Sequence, residues 1–177
     1  MSVDNKRVRE IVNDAIMRAG SGGGDACCGK IYQAWRNLKA WRDQPPVGRA
    51  RPNSLDLEVA AAENYMFARW CVCKGLVNRL QMNTMAIGYY ASKVIGSKMP
   101  TSGNPQSDPD SGVLGWGGIG SEEGEADRTR CNPTADPPLW RPVNEIMDLR
   151  SGYGSFYGSP GTRYDGPTGY TPPGYRS

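Results

Sequence analysis

Apolar positions in the first hundred residues recur at helical spacing and resolve into four segments. Val8, Ile11, Val12, Ala15, Ile16 and Ala19 fall three and four apart, which places them on one face of a helix from about Asp4 to Ala19. Asp4 suits the start of that helix as a cap, and Gly20 suits its end. After a flexible joint at Ser21-Gly22-Gly23-Gly24, a second helix begins near Asp25, carries Cys28, Ile31, Trp35 and Leu38 on one seam, and stops before Pro45-Pro46. A third opens at Asn53-Ser54 and runs through Leu55, Val59, Ala62, Met66, Trp70 and Cys73, with Gly75 breaking or bending it. Beyond it, Val77, Leu80, Thr84, Ile87, Ala91 and Val94 form a narrow seam that Met82, Met85 and Tyr89 widen, which predicts a fourth helix near the centre of a bundle, closed by Gly96 and Pro100.

After Pro100 no period is sustained. Ser111–Gly120 reads as a short strand or a turn that docks Trp116, and Glu122–Arg130 as a short helix whose acidic start and basic end match the helix dipole. Leu139–Arg150 predicts one last short helix after Pro142. The final 27 residues hold seven Gly, five Tyr, four Pro and four Ser with no aliphatic side chain, so they cannot build a core of their own. The expected fold is mainly α: a bundle of about four helices over residues 1–100, an irregular Gly/Pro-rich stretch with short helices over 101–150 packed on it, and an extended tail over 151–177.

Charge divides where the periodicity does. Residues 1–99 carry 15 Lys and Arg against 8 Asp and Glu, while residues 100–177 carry 6 against 10, so the second part is drawn toward the first. The longest uncharged run, Leu80–Ser92, is 13 residues and too short for a transmembrane helix. The first residues are charged and lack an apolar signal-peptide core, which predicts a place in the cytoplasm or in a large assembly, with signal-independent secretion as the other route. Five cysteines are too few and too uneven for a disulfide scaffold; reduced, buried thiols are the default, and a disulfide in an oxidising setting the alternative. On a helix Cys71 and Cys73 diverge by about 200°, and Cys27 and Cys28 by about 100°, so neither pair shares a metal; no metal and no cofactor are expected.

The absence of histidine excludes Ser-His-Asp, Cys-His and HExxH chemistry within this chain. Gly24–Lys30 matches the first seven positions of a phosphate-binding loop, but Ile31 stands where Ser or Thr would hold magnesium and Asp25 repels phosphate; a hinge feeding a capped helix is the better reading. Gly115–Gly120 satisfies GxGxxG, yet Glu122, Glu123 and Glu125 follow, which a pyrophosphate would not tolerate. If the chain is an enzyme, carboxylates must do the work: Glu63 with Arg69, or Glu122 and Glu123 in the cluster reaching Asp127, are the candidates. Glu63 sits among Ala60, Ala61, Ala62 and Tyr65, where partial burial would raise its pKa; a buried carboxylate pairing with Arg69 or a loop amide is the favoured role. Lys30, Arg36, Lys39 and Arg42 interleave with Tyr32, Trp35 and Trp41, the composition of a nucleic-acid surface, but a solvated basic face over a Trp-containing core is the favoured reading. Pro172-Pro173-Gly174-Tyr175 fits the PPxY pattern bound by WW domains, in a tail already rich in those residues.

The leading expectation is a non-catalytic interaction or assembly subunit that binds a protein partner or a second copy through Tyr153, Phe156, Tyr157, Tyr164, Tyr170 and Tyr175. The alternatives are a secreted bacterial effector hydrolase and a basic nucleic-acid-binding module.

Overall fold

The computed structural model describes residues 3–20, 28–43, 57–93, 113–131, 145–146, 149–150 and 169–175. Among them are five helices: α1 (Asn5–Arg18), α2 (Gly29–Asp43), α3 (Leu57–Lys74), α4 (Arg79–Lys93) and α5 (Val113–Cys131). The chain is mainly helical, as the periodicity requires.

Local chemistry sets the helix ends. The Asp4 carboxylate accepts from the backbone N–H groups of Lys6 and Arg7, satisfying two donors that the first turn of α1 leaves without partners. At the far end of α3, Leu76 N–H donates to Cys71 C=O and Gly75 N–H to Val72 C=O, with Gly75 at φ +79°. This paired closure needs a left-handed residue, so Gly75 ends the helix rather than bending it. Asn78 then starts α4 by accepting from Gln81 N–H at 2.7 Å.

α3 is the central element, buried on every side from Val59 to Cys73 apart from part-exposed Ala60, Arg69 and its flanks. It packs on all four other helices and most extensively on α5. Against α2 it runs antiparallel: Trp35 stacks on Trp70 with centroids 5.4 Å apart, and Phe67 and Tyr32 complete the aromatic layer. Such rings bury large apolar areas in fixed geometry, which locks the register of the pair.

The open end of this hairpin is closed covalently. Cys28, just before α2, is bonded to Cys73, near the end of α3, across 45 residues of chain. Cys131 is disulfide-bonded as well, while Cys71 is a buried free thiol. The reading of reduced thiols throughout is thus corrected, because antiparallel packing brings together two cysteines that sequence distance kept apart. Cys27 lies outside the described residues. Replacing Cys28 and Cys73 together by Ala should lower stability by about 4 kcal/mol, chiefly by freeing the unfolded chain across that 45-residue separation. Urea unfolding of that variant, and non-reducing peptide mapping of the native chain, check this.

Two elements differ from expectation. α4 is peripheral: it buries Met82 and Met85, while Leu80 is 71% and Ile87 42% exposed, so the Leu80–Thr84–Ile87 side of the expected central seam faces outward. The span read as a strand or turn followed by a short helix is one continuous helix, α5. Its glycines disfavour a helix in isolation, but Gly120 and Gly124 let it approach the backbone of α3 more closely than any side chain would allow.

The final described segment, 169–175, lies along α1 and α2 of its own chain. Tyr170 is 8% exposed and donates to Asp14 Oδ2 at 2.8 Å. Tyr175 packs edge-on against Trp41, with centroids 4.6 Å apart, beneath the Arg7 guanidinium. Pro172–Tyr175 forms a turn closed by Tyr175 N–H to Pro172 C=O, with Gly174 at φ +85°. Proline second and glycine third is the sequence such a turn demands, and it is not the extended form in which PPxY ligands bind. Tyr170 and Tyr175 are therefore anchors on their own body, a correction to the expectation that they rest on a neighbour.

Candidate functional site

α3 carries two charged networks, displaced from one another around its axis. The first is centred on Glu63, 2% exposed. Its Oε1 accepts from Arg42 Nη1 at 2.8 Å and Arg150 Nη2 at 3.1 Å, and its Oε2 from Trp35 Nε1 at 3.3 Å. Arg150 also donates to Asn64. Burial alone would raise the Glu63 pKa, but Arg150, Arg42, Lys39 and the indole N–H outweigh it and hold the carboxyl below its ordinary value. Glu63 is thus a buried, paired carboxylate rather than an acid of raised pKa, but its expected partner is corrected: the arginines come from α2 and position 150, and Arg69 points elsewhere. An ionised carboxylate enclosed by two guanidiniums neither donates a proton nor readily accepts one near neutral pH.

Arg69 belongs to the second network, which faces α5. It grips Asp127 through two bonds, Nε to Oδ2 at 2.6 Å and Nη2 to Oδ1 at 3.1 Å, and donates from Nη1 to Tyr65 Oη at 2.8 Å and Glu123 Oε2 at 3.2 Å. Tyr65 in turn donates to Glu123 Oε2. Burial, together with the Glu123 carboxylate, pushes the Tyr65 hydroxyl well above its ordinary pKa, Arg69 opposing, so Tyr65 stays a donor. Of the four candidates for acid/base work, the fold brings only Arg69 and Glu123 together. Glu122 is exposed and pairs with Arg79 of α4 at 3.7 Å.

This second network borders a cavity of about 110 Å3 lined by Arg9, Val12, Asn13, Tyr65, Trp116 and Glu123. Trp116 is 1% exposed, donates through Nε1 to Asn5 Oδ1 at 3.2 Å, and lies 5.2 Å beneath the Arg9 guanidinium. Sequence reading missed Arg9, Asn13 and Tyr65 here. The available signal was the matched four-residue spacing of Tyr65 and Arg69 with Glu123 and Asp127. A wider cleft of about 330 Å3 opens between Arg18, Gly20, Gln33, Asn37, Gly169 and Tyr170, with the docked tail as one wall.

The basic stretch is distributed differently from a nucleic-acid surface. Lys30 is exposed, Lys39 half-buried, Arg42 engaged by Glu63, and Arg36 buried about 6 Å from the rings of Tyr32 and Trp35. Tyr32, Trp35 and Trp41 are 7%, 1% and 3% exposed, so their faces are covered by protein rather than free to stack on bases. The Trp-containing core of the favoured reading is present, but Arg36 and Arg42 are drawn into the protein rather than forming a solvated face.

Of the phosphate-loop match, Gly24 to Cys27 lie outside the described residues, as do Tyr153, Phe156, Tyr157 and Tyr164. Among the described residues no group of three His, Cys, Asp or Glu converges as a metal site, and no helix is long and apolar enough to cross a membrane. No protein-family model, curated protein or solved structure matches this chain.

Proposed function

We propose that this chain is a non-catalytic binding or assembly subunit that holds a protein partner, or a second copy of itself, through the segment 151–168. The observation that carries the reading is the docking of that segment's two ends: Arg150 on Glu63 at one side, and Tyr170 on Asp14 at the other. The 18 residues 151–168 between these anchors hold Tyr153, Phe156, Tyr157 and Tyr164 among five Gly and three Ser. Tyr, Gly and Ser dominate recognition loops because tyrosine offers large amphipathic area at low entropic cost, and its small neighbours allow it to adapt. Tethering at both ends reduces the ordering cost of binding compared with a free arm.

The body suits a scaffold: α2 and α3 are joined by aromatic stacking and a disulfide. Its two disulfide-bonded sites favour an oxidising compartment over the cytoplasm as the place of action. The candidate carboxylates favour the non-catalytic reading, since Glu63, Glu123 and Asp127 are each held by arginine.

Replacing Tyr153, Phe156, Tyr157 and Tyr164 together by Ser tests it. Sedimentation velocity reads self-association, and pull-down with the full chain reads capture of a partner. Loss of association with unchanged helicity and melting temperature is the expected result. Association equal to the native chain's would overturn the proposal.

A further inference from the structure

The cavity between α1, α3 and α5 holds two opposite charges that do not pair with each other. Arg9, exposed on α1, has its guanidinium over the Trp116 ring and makes no ion pair with a described carboxylate. Glu123 of α5 spends Oε2 on Tyr65 and Arg69, while Oε1 accepts no hydrogen bond from a described residue. Both side chains line the same space, joined by the exposed amide of Asn13 one turn beyond Arg9. Each is oriented by something other than its opposite: Arg9 by an indole fixed through Asn5, and Glu123 by two donors from α3.

Such an arrangement selects against ligands of one sign. A simple anion satisfies Arg9 and confronts Glu123; a simple cation does the reverse. A molecule carrying both charges a few bonds apart meets both, and the mostly polar lining leaves only the edges of Val12, Tyr65 and Trp116 for the carbon between them, which favours a small ligand. Size narrows the choice, because the space is only about 110 Å3. That is far below the several hundred Å3 of an ordinary drug-sized pocket.

We propose that this cavity binds a small free α-amino acid, its carboxylate on Arg9 and Asn13 and its ammonium on Glu123 Oε1. The site is separate from the segment proposed to hold a protein partner, and it stands whether or not that reading survives.

The full disulfide-bonded chain, labelled with 15N, is titrated with glycine and L-alanine and followed at the Trp116 indole N–H. Acetate and methylammonium are the single-charge controls, and L-leucine is the size control. Saturable shifts with glycine or alanine are expected, with each control weaker by about tenfold or more, as the loss of one hydrogen bond to a charged group implies. Arg9→Gln and Glu123→Gln should each weaken glycine binding by about tenfold or more. Arg9 is exposed and in no ion pair among the described residues, so its variant keeps the test valid even if Glu123→Gln disturbs the α3–α5 contact. No saturable shift with either amino acid, acetate or methylammonium binding as tightly as glycine, or an Arg9→Gln variant that binds glycine like the native chain would each overturn the proposal.

Discussion

Glu63→Ala is expected to destabilise the fold by about 3 to 5 kcal/mol, the range typical of removing one member of a buried ion cluster. The change leaves Arg42 and Arg150, with side chains 21% and 13% exposed, facing each other without their shared anion. It also leaves the indole N–H of Trp35, 1% exposed, without its Glu63 acceptor. Glu63→Gln separates the causes: the amide fills the same space and keeps an acceptor, so its loss should be smaller and due mostly to charge. The pH dependence has a definite sign. Because the folded carboxyl titrates below its ordinary value of 4.5, the unfolded chain takes up the proton first as pH falls. The stabilisation from Glu63 is therefore complete above that value and lost as pH drops through it toward the folded pKa. Urea midpoints measured from neutral pH to pH 3 should fall less steeply for Glu63→Gln than for the native chain. Parallel curves would show that folding leaves the Glu63 pKa unshifted and would overturn this reading.

What the sequence revealed follows from how local each determinant is. The periodicity of α1 gave its buried face, with Val8, Ile11, Val12 and Ala15 in the core and Asp4 as the cap, because one helix packing one stripe needs no knowledge of its neighbours. α4 shows the limit. Leu80 and Ile87 form one apolar stripe and Met82 and Met85 another, and only the position of α5 decides which is covered. Glu63 and Arg69 were both visible as candidates, but six positions along a helix leave them about 240° apart, so they serve different neighbours. The partners of Glu63 come from 21 residues before and 87 residues after it, distances over which composition carries no geometric information. The disulfide was hidden for the same reason. The docked tail was hidden by a different one: seven residues without aliphatic side chains cannot form a core, but Tyr170 and Tyr175 can complete one that α1 and α2 already supply.

Gly120→Ala combined with Gly124→Ala is expected to be the most damaging small change, costing about 4 kcal/mol or more. On helix propensity alone the sign would be opposite, since each alanine favours a helix over glycine by about 1 kcal/mol. Packing reverses it. A Cβ on Gly120 would lie 2.3 Å from Tyr65 C=O, and one on Gly124 2.5 Å from Arg69 C=O. These are backbone atoms in the middle of α3, with no rotamer to move, so the helices must separate. Overpacking of this kind typically costs about 1 to 3 kcal/mol per site, and here both sites lie at the severe end. Separation would also pull Glu123 and Asp127 away from Tyr65 and Arg69, and that charged network depends on the same close approach. Gly117→Ala is the matched control, because among the described residues its added carbon meets only the Ala86 side chain at 3.9 Å, an ordinary contact. It should leave stability unchanged or raise it by up to about 1 kcal/mol. Thermal and urea unfolding of the three variants decides the matter. If the double variant matches Gly117→Ala, the glycines are tolerated within α5 rather than required by it.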